Sequence, residues 1–288
     1  MNMILRKNSG SNTFCMLRNS AIVLLFVFCL FIVAGCERDP KDSPERERLL
    51  PVSFTVRSMS GSLLKSAATE EEDSISKIIL FGVNDQNNVI ADYAIINNST
   101  LPDTSLIISG KVVSLYAIAN PSAGLETTIG SLLPPFPIST LTNLVDTFTH
   151  APQSPFLMSC MEEVTGTSVD FTLVRAVAKI KIGITENGFQ LDSIKVSNTP
   201  DKGYVFGKTS FSIPTSHTKV NYTAISAFGS DTTFYVAENT GANPTEFVVF
   251  GLLHGFPVSD TVVLKSGGLD IDIIRNTRYQ VSVGFEYE

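Results

Sequence analysis

Serine and lysine recur three residues apart at two places, Ser62-Leu63-Leu64-Lys65 and Ser74-Ile75-Ser76-Lys77. On a helix that spacing carries an amine to a hydroxyl, the nucleophile and base of penicillin-binding proteins. Neither copy is joined by S-D-N or K-T-G, and a pattern fixed at only two common residues arises by chance. Three histidines, His150, His217 and His254, have no second ligand at metal spacing. Cys160, within PFLMSC, has no histidine near it in sequence and reads as a buried, inert thiol. The acidic run Glu70 to Asp73 lacks the spaced oxygens and glycine turn of a calcium loop, so it reads as a solvated loop. With no G-x-G-x-x-G, P-loop or G-x-S-x-G, the sequence predicts no catalytic residue, no metal site and no cofactor.

One kind of chemistry does find its pattern. Ala21 to Ala34 is an apolar run of about fourteen residues behind Arg18, within the range of a secretory h-region and short of a span of about twenty. It closes on Val33-Ala34-Gly35-Cys36, small residues before a cysteine, which resembles the lipobox of bacterial lipoproteins. Cutting before Cys36 leaves a lipidated N-terminal cysteine, each buried acyl methylene holding the chain to a membrane by about 0.8 kcal/mol. An uncleaved helical anchor with an incidental cysteine is the alternative. Met16 with Arg18 makes a more ordinary start than Met1, because Met1 to Cys15 is polar. The reading is therefore a signal peptide over 1–35 and a charged tether over 36–48, extended by Pro40 and Pro44.

About 250 residues remain, enough for one large or two ordinary domains. A net charge of -7 with no basic stripe argues against nucleic acid as a partner. Of four cysteines, Cys15 and Cys29 fall in the removed segment and Cys36 carries lipid, so Cys160 stands alone and stability rests on core burial. Nineteen phenylalanines among frequent valines and isoleucines suit strands. Val52, Phe54 and Val56 alternate with polar neighbours as in a half-buried strand. Ile78 to Val83 and Val89 to Ile96 read as a hairpin, and Leu106 to Ala119 as a strand pair or one strand broken at Gly110. Leu141, Leu144, Val145 and Phe148 recur at helical spacing and predict one short helix on the sheet. In VDFTLVRAVAKIKIGI (Val169 to Ile184) the alternation changes parity near Arg175 to Ala178, which demands a bulge, a bend or a change of sheet. The last strand is regular, with Tyr279, Val281, Val283, Phe285 and Tyr287 on one face. The expected fold class is all-β, two tandem sandwiches over 49–184 and 185–288 with a short helix in the first.

Four stretches resemble the fimbrillin family of Bacteroidetes, the lipoprotein pilins of type V pili and their minor and anchoring subunits. They are LVRAVAKIKIGI (Leu173 to Ile184), TFYVAEN (Thr233 to Asn239), IRNTRYQVSV (Ile274 to Val283) and the lipobox ending at Cys36. The resemblance implies transthyretin-like sandwiches, export through a lipidated precursor at the outer membrane, and assembly with other subunits into a surface fibre mediating adhesion. It also implies an Arg-specific protease that removes the first strand, whose groove is then filled by a strand from the next subunit.

Such a cut must fall after a strand to open a groove of unpaired backbone groups. Arg57 meets that condition by releasing Val52 to Val56, whereas a cut at Arg46 or Arg48 only frees the chain from its lipid. Solvated charges are the plain alternative for all three. Val281, Val283 and Phe285 either close their own sandwich or are donated to a neighbour; since no extension follows Glu288, closing is the expected role. Two rival classes stay open: a surface lipoprotein binding carbohydrate or protein on loops such as Pro121 to Pro155, and an envelope hydrolase using an S-x-x-K serine on a helix in a cleft. No adhesion ligand is indicated.

Overall fold

Parity decides where the chain turns. Val169, Phe171 and Leu173 are buried in one core, and Ala178, Ile180 and Ile182 in another. The parity change between them is a change of sheet at Ala176, whose N–H donates to Leu157 O at 2.9 Å. The computed structural model describes residues 47–60, 72–97, 104–148, 152–208, 219–226, 231–240, 243–266 and 269–284. The expected signal peptide, lipid-bearing Cys36, Arg46, Ser62 to Lys65, His150, His217 and Phe285 lie outside the described residues. No described helix is long and apolar enough to cross a membrane.

The protein is an all-β sandwich fold. Its elements are β1 (Arg48–Val56), β2 (Lys77–Asn84), β3 (Asn88–Asn97), β4 (Thr104–Ile108), β5 (Val112–Ala119), α1 (Ala123–Gly130), β6 (Phe136–Pro137), α2 (Ile138–Thr142), β7 (Val145–Thr147), β8 (Met158–Glu163) and β9 (Val169–Arg175). There follow β10 (Val177–Ile184), β11 (Phe189–Pro200), β12 (Lys202–Tyr204), β13 (Lys219–Ser226), β14 (Asp231–Ala237), β15 (Glu246–Leu253), β16 (Phe256–Val263), β17 (Lys265–Ser266), β18 (Leu269–Asp270) and β19 (Arg278–Val283).

The first eight-stranded sheet has the order β4-β1-β9-β8-β5-β2-β3-β6. β8 and β9 share only Met158↔Arg175 and Ser159↔Val174, so the sheet folds there into two layers. Leu50 and Val52 of β1, Leu106 and Ile108 of β4, and Phe171 of β9 face Leu80 of β2 and Leu115 of β5 across the first core. β2 reads as an unbroken apolar run because both its faces are covered. Ile78 and Leu80 enter this core, while Ile79, Phe81 and Val83 pack under Leu125 and Ile129 of α1 and Leu141 of α2. The second sandwich sets β14-β10-β19 against β13-β11-β15-β16 around Ile180, Ile182, Ile194, Val196, Phe234, Phe247 and Val249.

Two sequence expectations change. β4 and β5 do not pair with each other; β4 pairs with β1 and β5 with β2 and β8, because the turn between them steps from one layer to the other. The spacing Leu141, Leu144, Val145, Phe148 does not make one helix. α2 ends at Thr142, and β7 is drawn into pairing with β12 by Val205 N–H donating to Leu144 O (2.9 Å) and Phe148 N–H to Asp201 O (2.6 Å).

Candidate functional site

β1 is joined to its sheet without a hairpin. It pairs antiparallel with β4 from Arg48↔Ile108 to Val52↔Thr104, and parallel with β9 from Val52↔Val169 to Val56↔Leu173. A parallel neighbour needs a long connection, and the chain between β1 and β9 runs through the whole first sandwich. The inner row of β1 carries its apolar side chains: Leu50 and Val52 are fully buried, and Phe54 and Val56 are partly buried against the same core. The Phe54 ring stacks on Phe171 with centroids 4.9 Å apart and planes 8° apart. Burial of such side chains stabilises by about 1.5–3 kcal/mol each, so the groove between β4 and β9 is specific for alternate apolar residues.

Arg48 opens β1 and is exposed; Arg57 follows its last residue, also exposed. Arg57 N–H donates to Leu173 O at 2.8 Å and extends the β9 ladder by one step. The next residues belong to the second sandwich: Ser58 O accepts from Asn276 Nδ2 (3.2 Å), Ser60 N–H donates to Asn276 O (3.0 Å), and Arg278 N–H donates to Ser60 O (2.7 Å). The Arg57–Ser58 bond is therefore where the chain passes from one sandwich to the other.

A buried cation sits at that passage. Arg175, the last residue of β9, is fully buried. Its Nη1 donates to Arg57 O (2.8 Å) and Asn276 Oδ1 (2.9 Å), its Nε to Glu72 O (3.1 Å), and its Nη2 to the Asp73 carboxylate. On the next strand, β10, Lys179 Nζ donates to Glu72 Oε1 at 2.5 Å and lies 5.8 Å from the Tyr235 ring centre. Two cations thus face two anions, Glu72 buried and Asp73 at the surface end of the cluster, and the buried charges are paired as a low-dielectric site requires. Asn276 takes a left-handed φ of 52°, which asparagine tolerates better than branched residues, and so offers its carbonyl and its amide to the same short segment. Nearby, Arg275 pairs with Glu238 and donates to Tyr204 O (2.8 Å) and Val205 O (3.0 Å).

Burial pushes the Glu72 carboxyl up, but hydrogen bonds from Lys179 and Tyr235 and the charges of Lys179 and Arg175 outweigh it and hold the group below its ordinary 4.5. Burial and the Glu72 charge push the Tyr235 hydroxyl up, so it stays protonated and donates. A depressed carboxyl contributes stability that is fully present above its ordinary value and lost as pH falls through the depressed one. The urea midpoint is accordingly expected to hold steady down to about pH 5 and then fall, with Glu72→Gln flattening that fall. Equal slopes in the two proteins would remove Glu72 from the clamp.

The expected solvated loop at Glu70 to Asp73 needs correction at its described end, since Glu72 is 5% exposed and both Glu72 and Asp73 are spent on the clamp. Its signal in the sequence was the pair of cations Arg175 and Lys179 within one apolar stretch, which must find partners if that stretch is buried. Val281 and Val283 are not brought to β1; they face Ile182 and Ile184 of β10 in parallel register, with Val283 buried in the core of the second sandwich. Ser74 and Lys77 sit on a loop and a strand start rather than a helix turn, and Lys77 is paired with Glu126 at 2.6 Å. Cys160 is partly buried, and burial with the Glu162 charge pushes its thiol up to about 12. His254 occupies the exposed turn between β15 and β16.

No family model matches the chain, and no curated protein matches it. Solved structures share its fold. A candidate cell adhesion protein from Parabacteroides distasonis ATCC 8503 is similar with a TM-score of 0.60 and 15% identity over 84% of this chain and 88% of that one. The tip fimbrial protein Mfa3 from Porphyromonas gingivalis, truncated at its C-terminus, gives 0.59 and 13% over 84% and 96%. A fimbrial assembly protein from Parabacteroides distasonis ATCC 8503 gives 0.54 and 13% over 82% and 91%. At such identities the likeness is one of fold; none of the three is described as an enzyme.

Proposed function

We propose that the protein is a structural, non-catalytic subunit of a cell-surface fimbria, of the fimbrillin family, exported as a lipoprotein and assembled with other subunits by strand exchange. The observation that carries this reading is β1 itself. It is an apolar strand seated between β4 and β9, tied in by no hairpin, and followed at once by an exposed arginine where the chain leaves the first sandwich. An Arg-specific protease cutting after Arg57 separates the whole strand, and the groove then accepts an extended segment of another subunit through backbone pairing and alternate side chains. A cut after Arg46 or Arg48 frees the protein from lipid on Cys36 and the outer membrane without opening the groove. Val281 and Val283 stay in their own sandwich in this scheme.

Limited digestion of the purified precursor with an Arg-specific protease tests the reading. A cut after Arg57 followed by an SDS-resistant ladder is expected; a cut product that stays monomeric overturns polymer assembly and leaves an anchoring subunit. N-terminal sequencing of the surface protein separates the roles, with Cys36, Leu49 or Ser58 as first residue meaning anchored, released or assembled.

A second reading, a surface lipoprotein that binds carbohydrate or protein without polymerising, has one observation in its favour. A cleft of about 330 Å³ in the expected loop region is lined by Asn120, Ser122, Asp146, Phe148 and Phe156. Its polar groups are largely spent on one another: Ser122 donates to Asp146 at 2.6 Å, and Asn120 donates to Ser74 O and Phe156 O. That leaves little to orient a ligand, and the fimbrial reading stands first.

A further inference from the structure

We propose that Arg175 is a binding site for a peptide C-terminal carboxylate, and that its ligand is the severed first strand of this chain, which stays docked after the cut at Arg57 until another strand displaces it. The inference rests on the maturation reading above and adds what becomes of the excised segment.

Hydrolysis of the Arg57–Ser58 bond adds one water across the C–N bond. The Arg57 carbon keeps its carbonyl oxygen, gains the water's oxygen and becomes a carboxylate; the Ser58 nitrogen takes the protons and becomes an ammonium. The protease supplies catalysis and water is the co-reactant. Before the cut, the Arg57 carbonyl oxygen already lies 2.8 Å from Arg175 Nη1. The cut therefore turns a neutral acceptor into an anion in contact with a fully buried guanidinium. Charge-assisted hydrogen bonds are about twice as strong as neutral ones.

Nothing else that holds β1 depends on the severed bond. The register pairs with β4 and β9, the Arg57 N–H bond to Leu173 O, and the burial of Leu50 and Val52 all lie N-terminal to it. On the other side, Ser58 and Ser60 remain held by Asn276 and Arg278. The new ammonium and carboxylate appear together, so the charge of the clamp stays balanced with Lys179, Glu72 and Asp73 in place. Asp73 is served by Nη2, while Nη1 gives one N–H to Asn276 Oδ1 and the other to Arg57 O, so the Arg57 carboxylate keeps one N–H that Asp73 does not use.

The full-length protein in mild detergent is cut with an Arg-specific protease at limiting dose and passed over a native sizing column, with the fractions read by intact mass. The fragment ending at Arg57 is expected to co-elute with the monomeric body and to be missing from oligomer fractions, where another strand has displaced it. Synthetic Arg48 to Arg57 peptide is then titrated onto the cut protein in competition with its resident fragment, once as the free acid and once as the C-terminal amide. The amide is expected to bind about tenfold more weakly. This comparison leaves the protein untouched, so it stands even where Arg175 variants do not fold. A fragment that elutes alone, or acid and amide of equal affinity, overturns this inference and leaves maturation at Arg57 standing. The absence of any cut after Arg57 overturns both.

Discussion

Arg175→Met is expected to lower the stability of the protein by about 3–5 kcal/mol. The side chain is fully buried and donates to four acceptors drawn from three separate stretches of chain: Arg57, the Glu72-Asp73 pair and Asn276. A methionine fills much of the volume but satisfies none of them. The Glu72 carboxylate then keeps Lys179 and Tyr235, and the buried Glu72 carbonyl and Asn276 side-chain oxygen lose their donor, each costing about 1–3 kcal/mol. The measurement is the urea midpoint at neutral pH. A loss below about 1 kcal/mol, as for a surface pair, contradicts the clamp. The same variant is expected to be cut faster after Arg57, because a protease must draw out a carbonyl that Arg175 otherwise holds.

Phe171→Ala is expected to cost about 3–5 kcal/mol as well, by a different route. Phe171 is fully buried in the first core and forms the floor on which the Phe54 ring stacks. Truncation opens a cavity directly beneath β1. Phe54→Ala removes the other half of the stack from a partly buried position and is expected to cost less, about 1–3 kcal/mol. The two variants also separate groove from occupant. If the chain is cut after Arg57, Phe171→Ala is expected to weaken binding of any strand that seats an aromatic ring at that position, whereas Phe54→Ala is expected to weaken only the chain's own β1 and leave the groove intact for a competitor. Equal stability losses in both would mean that the ring contact, rather than the core beneath it, dominates.

Much of the fold was legible because its periods are local. The β1 alternation at Val52, Phe54 and Val56, the β2–β3 hairpin and the parity change beside Arg175 each follow from residues within one strand length of one another. The helix expected at Leu141 to Phe148 failed for the complementary reason. Leu144 and Phe148 use their backbone groups on Val205 and Asp201, more than fifty residues away in sequence, and that pairing outweighs local spacing. The separation of β4 from β5 likewise reflects a choice between layers that neither strand encodes alone.

The candidate site divides along the same line. The amino-acid sequence by itself determined that a half-buried strand precedes Arg57, that Arg175 and Lys179 interrupt an apolar run, and that no constellation for catalysis is present in the usual motifs. Only the tertiary structure decided that Arg57, Glu72, Asp73, Arg175 and Asn276 meet at one point, since these residues lie up to 219 positions apart on the chain (276 − 57) and no local period connects them. The physical reason is that a buried charge constrains the existence of a partner but not its address, which is set by where two sandwiches bring their loops together.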